Sequence, residues 1–294
     1  MLAIGRVCKK TAALGSRPAA VSPAASAQVD RLSGFVRRLG IGDVHGLAQD
    51  SAGQFRNAHA AACDDRRIMS SPYLDAVTDW YAAHARDLPW RDPDASPWSV
   101  MVSEIMLQQT PVARVLPAHA AWLRRWPDPA ALAAASVADA VRQWDRLGYP
   151  RRAVRLHASA GLITSEHAGQ VPADIDALLS LPGVGAYTAA AIASFAFGRR
   201  HAVLDTNVRR VLARLITGTG LPGPAVSVAE VRLAESLLPA DGREAARWSV
   251  GVMELGALVC TAARPQCHAC PLAAQCAWLR DGQPVPAMVR GQAR

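Results

Sequence analysis

Lysine is nearly absent from this chain: of its 294 residues only Lys9 and Lys10 are lysines, and none occurs from residue 11 to the end. Covalent chemistry through a lysine imine is therefore closed to almost the whole sequence. Arginine carries the basic charge, and its planar fork suits bidentate phosphate contacts, although a GC-rich genome produces the same bias. Long apolar runs are missing too, so nothing has the length of a helical membrane span. No apolar core followed by a cleavage site marks a secretory leader. These absences favour a soluble intracellular protein, of the cytoplasm or nucleoid.

What is present is enough to fold. Just over half of the residues are apolar (51%), and the length suits one sizeable domain or two packed subdomains. The formal charge of +8 is unevenly spread, because residues 1–69 hold 10 Lys/Arg against 5 Asp/Glu and the remainder 22 against 19. Net charge thus says little about the partner of the globular part, and a basic groove has to be argued from local placement. Residues 1–69 are rich in small and polar residues without sustained periodicity, and are expected to be disordered or a mis-annotated leader, with Met69 as an alternative start.

From Ser71 the pattern is helical. Apolar residues recur at helical spacing over 74–84, 98–109, 112–125, 130–145, 151–166, 174–181, 186–197, 205–216, 227–238 and 243–259, with Pro and Gly at the joins. No alternating strand pair interrupts them. The fold class is all-α.

Four of the six cysteines are compressed into CTAARPQCHACPLAAQC: Cys260, Cys267, Cys270 and Cys276, spaced C-x6-C-x2-C-x5-C. A disulfide framework is out of place in a large chain without a secretion signal. Spacing alone leaves open a tetrahedral zinc site and an iron–sulfur cluster. A second motif, LPGVGAYTAAAI, sets Pro182, Gly183, Val184 and Gly185 between two helical runs. Glycines there let the chain turn tightly and present N–H groups at the start of the next helix, where a phosphate can bind. An ordinary turn between helices uses the same residues.

Two carboxylates stand out. Glu104 lies in the run SPWSVMVSEIMLQQT, with Gln108 one turn later on the same face, and an apolar setting would raise its pKa and fit it to act as an acid. Asp205, in HAVLDTNVRRVLAR, opens a helix and can be read simply as its N-cap. On the residues alone, a surface acid and a cap are sufficient explanations.

Taken together, SEIMLQQT, LPGVGAYT, the aspartate that follows and the four-cysteine loop after MELGALVC resemble the MutY family of adenine DNA glycosylases, within the endonuclease III and helix-hairpin-helix superfamily. The similarity runs from about residue 72 to 278. It implies a six-helix barrel domain with the helix-hairpin-helix over 92–200, an iron–sulfur cluster domain over 70–91 and 201–280, and a tail at 281–294. It implies a [4Fe–4S] cluster on the four cysteines and, as partner of a monomeric enzyme, double-stranded DNA with adenine opposite 8-oxoguanine or guanine.

The same resemblance assigns roles. Glu104 would protonate adenine and help to activate water, Asp205 would stabilise or trap the sugar cation, and Tyr187 and Asn207 would support them. Gln109 and Tyr149 would wedge into the base stack, Trp90 and Arg91 would border the base pocket, and Gln108, Thr110 and Thr188 would join the hairpin residues in contacting DNA or base. Where endonuclease III carries its Schiff-base lysine this chain has Tyr187, which points to a monofunctional glycosylase. Three departures are visible. Only 18 residues follow Cys276, where many relatives continue into a Nudix-like domain that reads 8-oxoguanine. The loop DPDASPW is one residue longer than usual, and Val250 stands where relatives often place Glu or Gln. The competing readings are an endonuclease III-like glycosylase/lyase and a DNA-binding remnant without turnover.

Overall fold

A computed structural model of the protein describes residues 73–283. The expected leader over 1–69 and most of the expected tail lie outside these residues. Within them the chain is helical, without a strand, as the periodicity predicts.

The centre is the helix α2, and it owes its place to composition. The helices before and around it are α1 (Leu74–His84), α2 (Pro97–Leu107) and α3 (Val112–Arg125). Ser96 starts α2 by accepting from the Ser99 N–H, with Pro97 at the first position, where a missing N–H costs nothing. Every residue from Trp98 to Met106 is buried, so this helix has no solvent face and must be enclosed on all sides.

The chain goes on through α4 (Pro129–Ala133), α5 (Val137–Trp144), α6 (Arg151–Glu166), α7 (Ile175–Leu179) and α8 (Ala186–Phe197). The single helix expected over 130–145 is two. Ser136 accepts from the Asp139 N–H and begins a new helix, and that local bond outweighs the high helix propensity of the surrounding alanines. α2 packs against α8 and α3, and α4 against α6. Their buried faces join in one apolar cluster containing Met101, Ile105, Leu156, Leu178 and Ile192. Trp122 anchors one side of it, meeting Trp126 and Trp144 edge-on at 4.6 and 5.5 Å.

A second apolar cluster is built by α1, α9 (Thr206–Leu212), α10 (Val228–Leu237) and α11 (Gly242–Leu258), and includes Val77, Val211, Leu215, Trp248 and Leu255. After α9 the chain winds through a π-helical turn at Ala213–Thr217, so the expected helix to 216 changes its hydrogen bonding after Leu212. α11 touches α8 as well as α1 and α9, and so joins the two clusters. A short helix, α12 (Ala277–Arg280), follows the cysteine loop. No described helix is long and apolar enough to cross a membrane.

Candidate functional site

A cavity of about 870 Å³ is lined by parts of both clusters: Trp90 and Arg91 before α2, Glu104 and Leu107 of α2, Gln108, Gln109 and Thr110 just after it, Tyr187 of α8, and Asp205 and Asn207 at the start of α9. Nine of the residues singled out in the sequence therefore meet there: Trp90, Arg91, Glu104, Gln108, Gln109, Thr110, Tyr187, Asp205 and Asn207. Val250 and three residues of the DPDASPW loop, Asp92, Pro93 and Ala95, also line it.

Glu104 is 5% exposed. Burial pushes its carboxyl up to about 7, with the Tyr187 hydroxyl, hydrogen-bonded to it, and the Arg91 charge pulling down and the charge of Asp205 pushing up. The group is a carboxylic acid poised to hold or give a proton near neutrality. Burial and the two neighbouring carboxylates raise Tyr187 well above the ordinary phenol range, so its hydroxyl stays protonated and donates.

Asp205 is both a cap and a pocket residue. Its Oδ1 accepts from the Val208 N–H at 2.6 Å, capping the N-terminus of α9, and its Oδ2 accepts from the Asn207 side-chain amide at 2.7 Å. Burial still raises its pKa, against the pull of those bonds. Asn207 is held in turn: Arg210 donates to its Oδ1 at 2.8 Å, and also to the carbonyls of Gly256 and Cys260, both at 2.7 Å. Glycine is required at 256, since a Cβ there would sit 2.7 Å from that of Asn207. A continuous set of hydrogen bonds thus runs from the first cysteine's carbonyl to the Asp205 carboxylate.

Arg86 on the cavity wall and Glu254 behind it were not singled out in the sequence. Glu254, on α11, is fully buried and accepts from Arg86 at 2.6 and 2.8 Å and from Arg91 at 2.7 Å. The two guanidiniums hold its carboxyl below the usual range despite the burial. Arg91 lies 5.9 Å from the Tyr81 ring centroid, and Trp90 rests edge-on against His119 at 5.1 Å. The wall beside Glu104 is therefore fixed from α11 and from α3.

Of the hairpin motif Tyr187 lines the cavity, while Pro182, Gly183, Val184, Gly185 and Thr188 do not. Gly183 has φ +85, and a Cβ on it would lie 3.0 Å from Arg155, so the tight turn needs glycine there. Gly185 begins α8, whose first turn has no capping side chain. Val184 and Thr188 are buried, while Pro182 accepts from Ser159 at 2.8 Å. Gln108 ties the hairpin to the cavity, donating to the Gly183 carbonyl at 3.4 Å and to Thr188 at 3.3 Å. Tyr149 is also outside the cavity, with 62% of its surface exposed. It shares with Gln109 a left-handed backbone, φ +50 and +57, a conformation that costs a non-glycine residue about 1–3 kcal/mol.

The four cysteines line a separate small cavity of about 30 Å³, together with Arg214 and Trp278. Burial pushes the Cys270 thiol up to about 11, and the neighbouring Cys260, Cys276 and Cys267 add to the shift; Cys267 is raised for the same reasons. Ionising these thiols together therefore calls for a positive group among them. Arg214 donates to the Cys260 sulfur at 3.4 Å and to the Thr261 and Ala262 carbonyls. Among the described residues no three His, Cys, Asp or Glu side chains come together as a site for a single metal ion.

Residues 102–230 match the model of the HhH-GPD superfamily of base excision DNA repair proteins. The chain is similar to the adenine DNA glycosylase of Mycobacterium tuberculosis, 54% identical over 208 residues that make up 70% of this chain and 67% of the relative. With the adenine DNA glycosylase of Mycolicibacterium smegmatis it is 50% identical over 214 residues, 73% of this chain and 72% of the other. Among solved structures, that of a thermostable thymine-DNA glycosylase superposes with a TM-score of 0.64 at 26% identity, covering 71% of this chain and 95% of that one.

Proposed function

Since the chain belongs to the HhH-GPD superfamily of base excision DNA repair proteins, we propose that it is an adenine DNA glycosylase, a monomer that hydrolyses the N-glycosidic bond of adenine paired with 8-oxoguanine or guanine. The observation that carries this reading is the pair of carboxyls on one cavity, one of them, Glu104, buried beside Tyr187 and raised to about 7. Bond breaking at a nucleoside needs opposite things from two acids, a proton for the leaving base and a negative charge beside the sugar cation.

The chemistry follows. Glu104 gives its proton to a ring nitrogen of the extruded adenine, and the C1′–N9 electron pair leaves with the base. Asp205, ionised and oriented by Asn207, stabilises the sugar cation that remains. Water then adds at C1′ and returns its proton to Glu104. Tyr187 holds the Glu104 carboxyl in place throughout, and Trp90 and Arg91 border the base. The uncapped start of α8, beside the cavity, receives a backbone phosphate; Gln109 at the cavity rim and Tyr149 outside it fill the space that the base leaves. The duplex then spans the barrel subdomain over 92–200 and the subdomain over 70–91 and 201–280.

The cysteine cavity suits a [4Fe–4S] cluster, with Cys260, Cys267, Cys270 and Cys276 as ligands. When bound, such a cluster would supply positive iron centres for four thiolates and would staple the loop. Arg210 of α9 and Arg214 of the π-helical turn after it tie that loop down by donating to the carbonyls of Cys260, Thr261 and Ala262.

The test is base release from duplexes carrying A opposite 8-oxoguanine, A opposite G, A opposite T and T opposite G, with abasic sites revealed by alkali. The T opposite G duplex answers to the structural likeness to a thymine-DNA glycosylase. Release from the first two alone, with no strand break before alkali, is expected. Release of thymine without adenine would replace the reading.

A further inference from the structure

Gln109 and Tyr149 lie 40 residues apart, yet one buried side chain fastens both. Arg152, 6% exposed, donates through Nη1 to the carbonyls of Ile105, Met106 and Gln108, and through Nη2 to Thr110 Oγ1 and the carbonyls of Leu147 and Gly148. These acceptors flank Gln109 on both sides and immediately precede Tyr149. Thr110 completes the knot by donating to the Leu147 carbonyl at 3.3 Å. Among the described residues no carboxylate pairs with Arg152, and its Nε is buried without a partner. A guanidinium that gives up water with no opposing charge is an expensive way to cap a helix. It is well matched to holding two separate left-handed residues at one spacing, because only arginine presents several donors in a fixed plane.

We infer that Arg152 is a positioning residue: it locks the backbones of Gln109 and Tyr149 together so that their exposed side chains enter the base stack as one wedge. This rests on the glycosylase reading, and it adds a residue that neither forms part of the cavity wall nor touches the reacting atoms. Its substitution should impair extrusion of the base and leave the chemistry of an extruded base unchanged. A 1 Å displacement of a positioning group can cost on the order of 100-fold in rate.

The experiment compares the full chain, Arg152→Lys, the double variant Gln109→Ala/Tyr149→Ala, and the triple combination. Extrusion is read as the fluorescence rise of 2-aminopurine placed opposite guanine, and release of adenine from the matching A·G duplex is followed in parallel under single turnover. Lysine keeps the charge and loses the fork; Thr110→Val, which removes one acceptor with little change of volume, provides a second route should Arg152→Lys fold poorly.

Arg152→Lys is expected to lose most of the fluorescence rise and to slow release by about 10-fold or more, with Thr110→Val intermediate. The triple variant should be no worse than the double, since a residue that acts through the wedge has nothing left to act on. Additive losses, or full extrusion by Arg152→Lys, would overturn the inference and leave Arg152 as a helix cap. Failure of the parent chain to extrude 2-aminopurine overturns it as well. Extrusion by the parent without adenine release would instead count against the glycosylase reading, while fluorescence still judges Arg152.

Discussion

Tyr187 donates its hydroxyl to the carboxyl of Glu104, in a place where burial raises the pKa of both groups. The bond fixes the carboxyl and also moderates it, because donation to a carboxylate favours the ionised form. A contact between α2 and α8 thus orients the acid and offsets part of the upward shift that burial imposes.

Activity should therefore be bell-shaped in pH. It requires Glu104 protonated, and so falls as pH rises through about 7, and it requires Asp205 ionised, so the acid limb lies above the usual aspartate range. Tyr187→Phe removes a contact that lowers the Glu104 pKa, and the alkaline limb should move to higher pH. Single-turnover rates across pH 5–9 (roughly the span of both limbs) check this; an alkaline limb that moves down, or stays in place, contradicts it.

The same carboxyl should cost stability at neutral and alkaline pH. Well below 4.5 it is protonated in folded and unfolded chains alike. As pH rises from 4.5 towards 7 the unfolded chain ionises and the folded one does not, so the folded state binds more protons and stability falls across that window. Glu104→Gln should be more stable than the parent above pH 7 by up to about 3 kcal/mol, with the two converging near pH 4 (about the ordinary carboxyl value). Denaturant unfolding at both ends measures it. A constant difference would mean that Glu104 titrates normally.

Glu254→Ala leaves Arg86 and Arg91 facing a buried gap. The loss should be about 3 kcal/mol, the lower end for one partner of a buried pair, because Arg86 keeps a third of its side chain exposed. The variant should also slow base release, since Arg91 loses the group that anchors it. Thermal unfolding together with single-turnover rates separates the two effects.

Asn207→Ala removes the amide that orients Asp205 and the acceptor for Arg210. Release should slow on the order of 100-fold, as for loss of one preorganised donor, with duplex binding retained. Displacing the Cys260 loop should act along the same route, because Arg210 is also held by the Cys260 carbonyl. Weak binding in place of slow release would assign Asn207 to the DNA interface.

Much of this was legible in the sequence, for physical reasons. Helical periodicity marked the elements because each buries a face, and it failed at Ser136, where a side-chain cap breaks a run of alanines that propensity alone would continue. The π-turn at Ala213–Thr217 has no pattern of its own. Glu104 was visible as a carboxyl inside an apolar run. Glu254 gives the same signal in SVGVMELGAL, but its meaning depends on arginines 168 and 163 residues away. Arg152 was hidden more thoroughly, since an arginine in the first turn after a proline reads as a solvent-facing charge, and its six acceptors are carbonyls and a hydroxyl that no side-chain pattern reports.

The role of Glu104 as proton donor is tested by single-turnover adenine release by Glu104→Gln on the A·8-oxoguanine duplex, with binding measured on the same preparation. The folded variant is expected to bind the duplex and release no measurable adenine, because glutamine keeps the shape of the site without an acidic proton to give. Release within a few-fold of the parent would contradict it, and the acid would have to be sought elsewhere on the cavity wall.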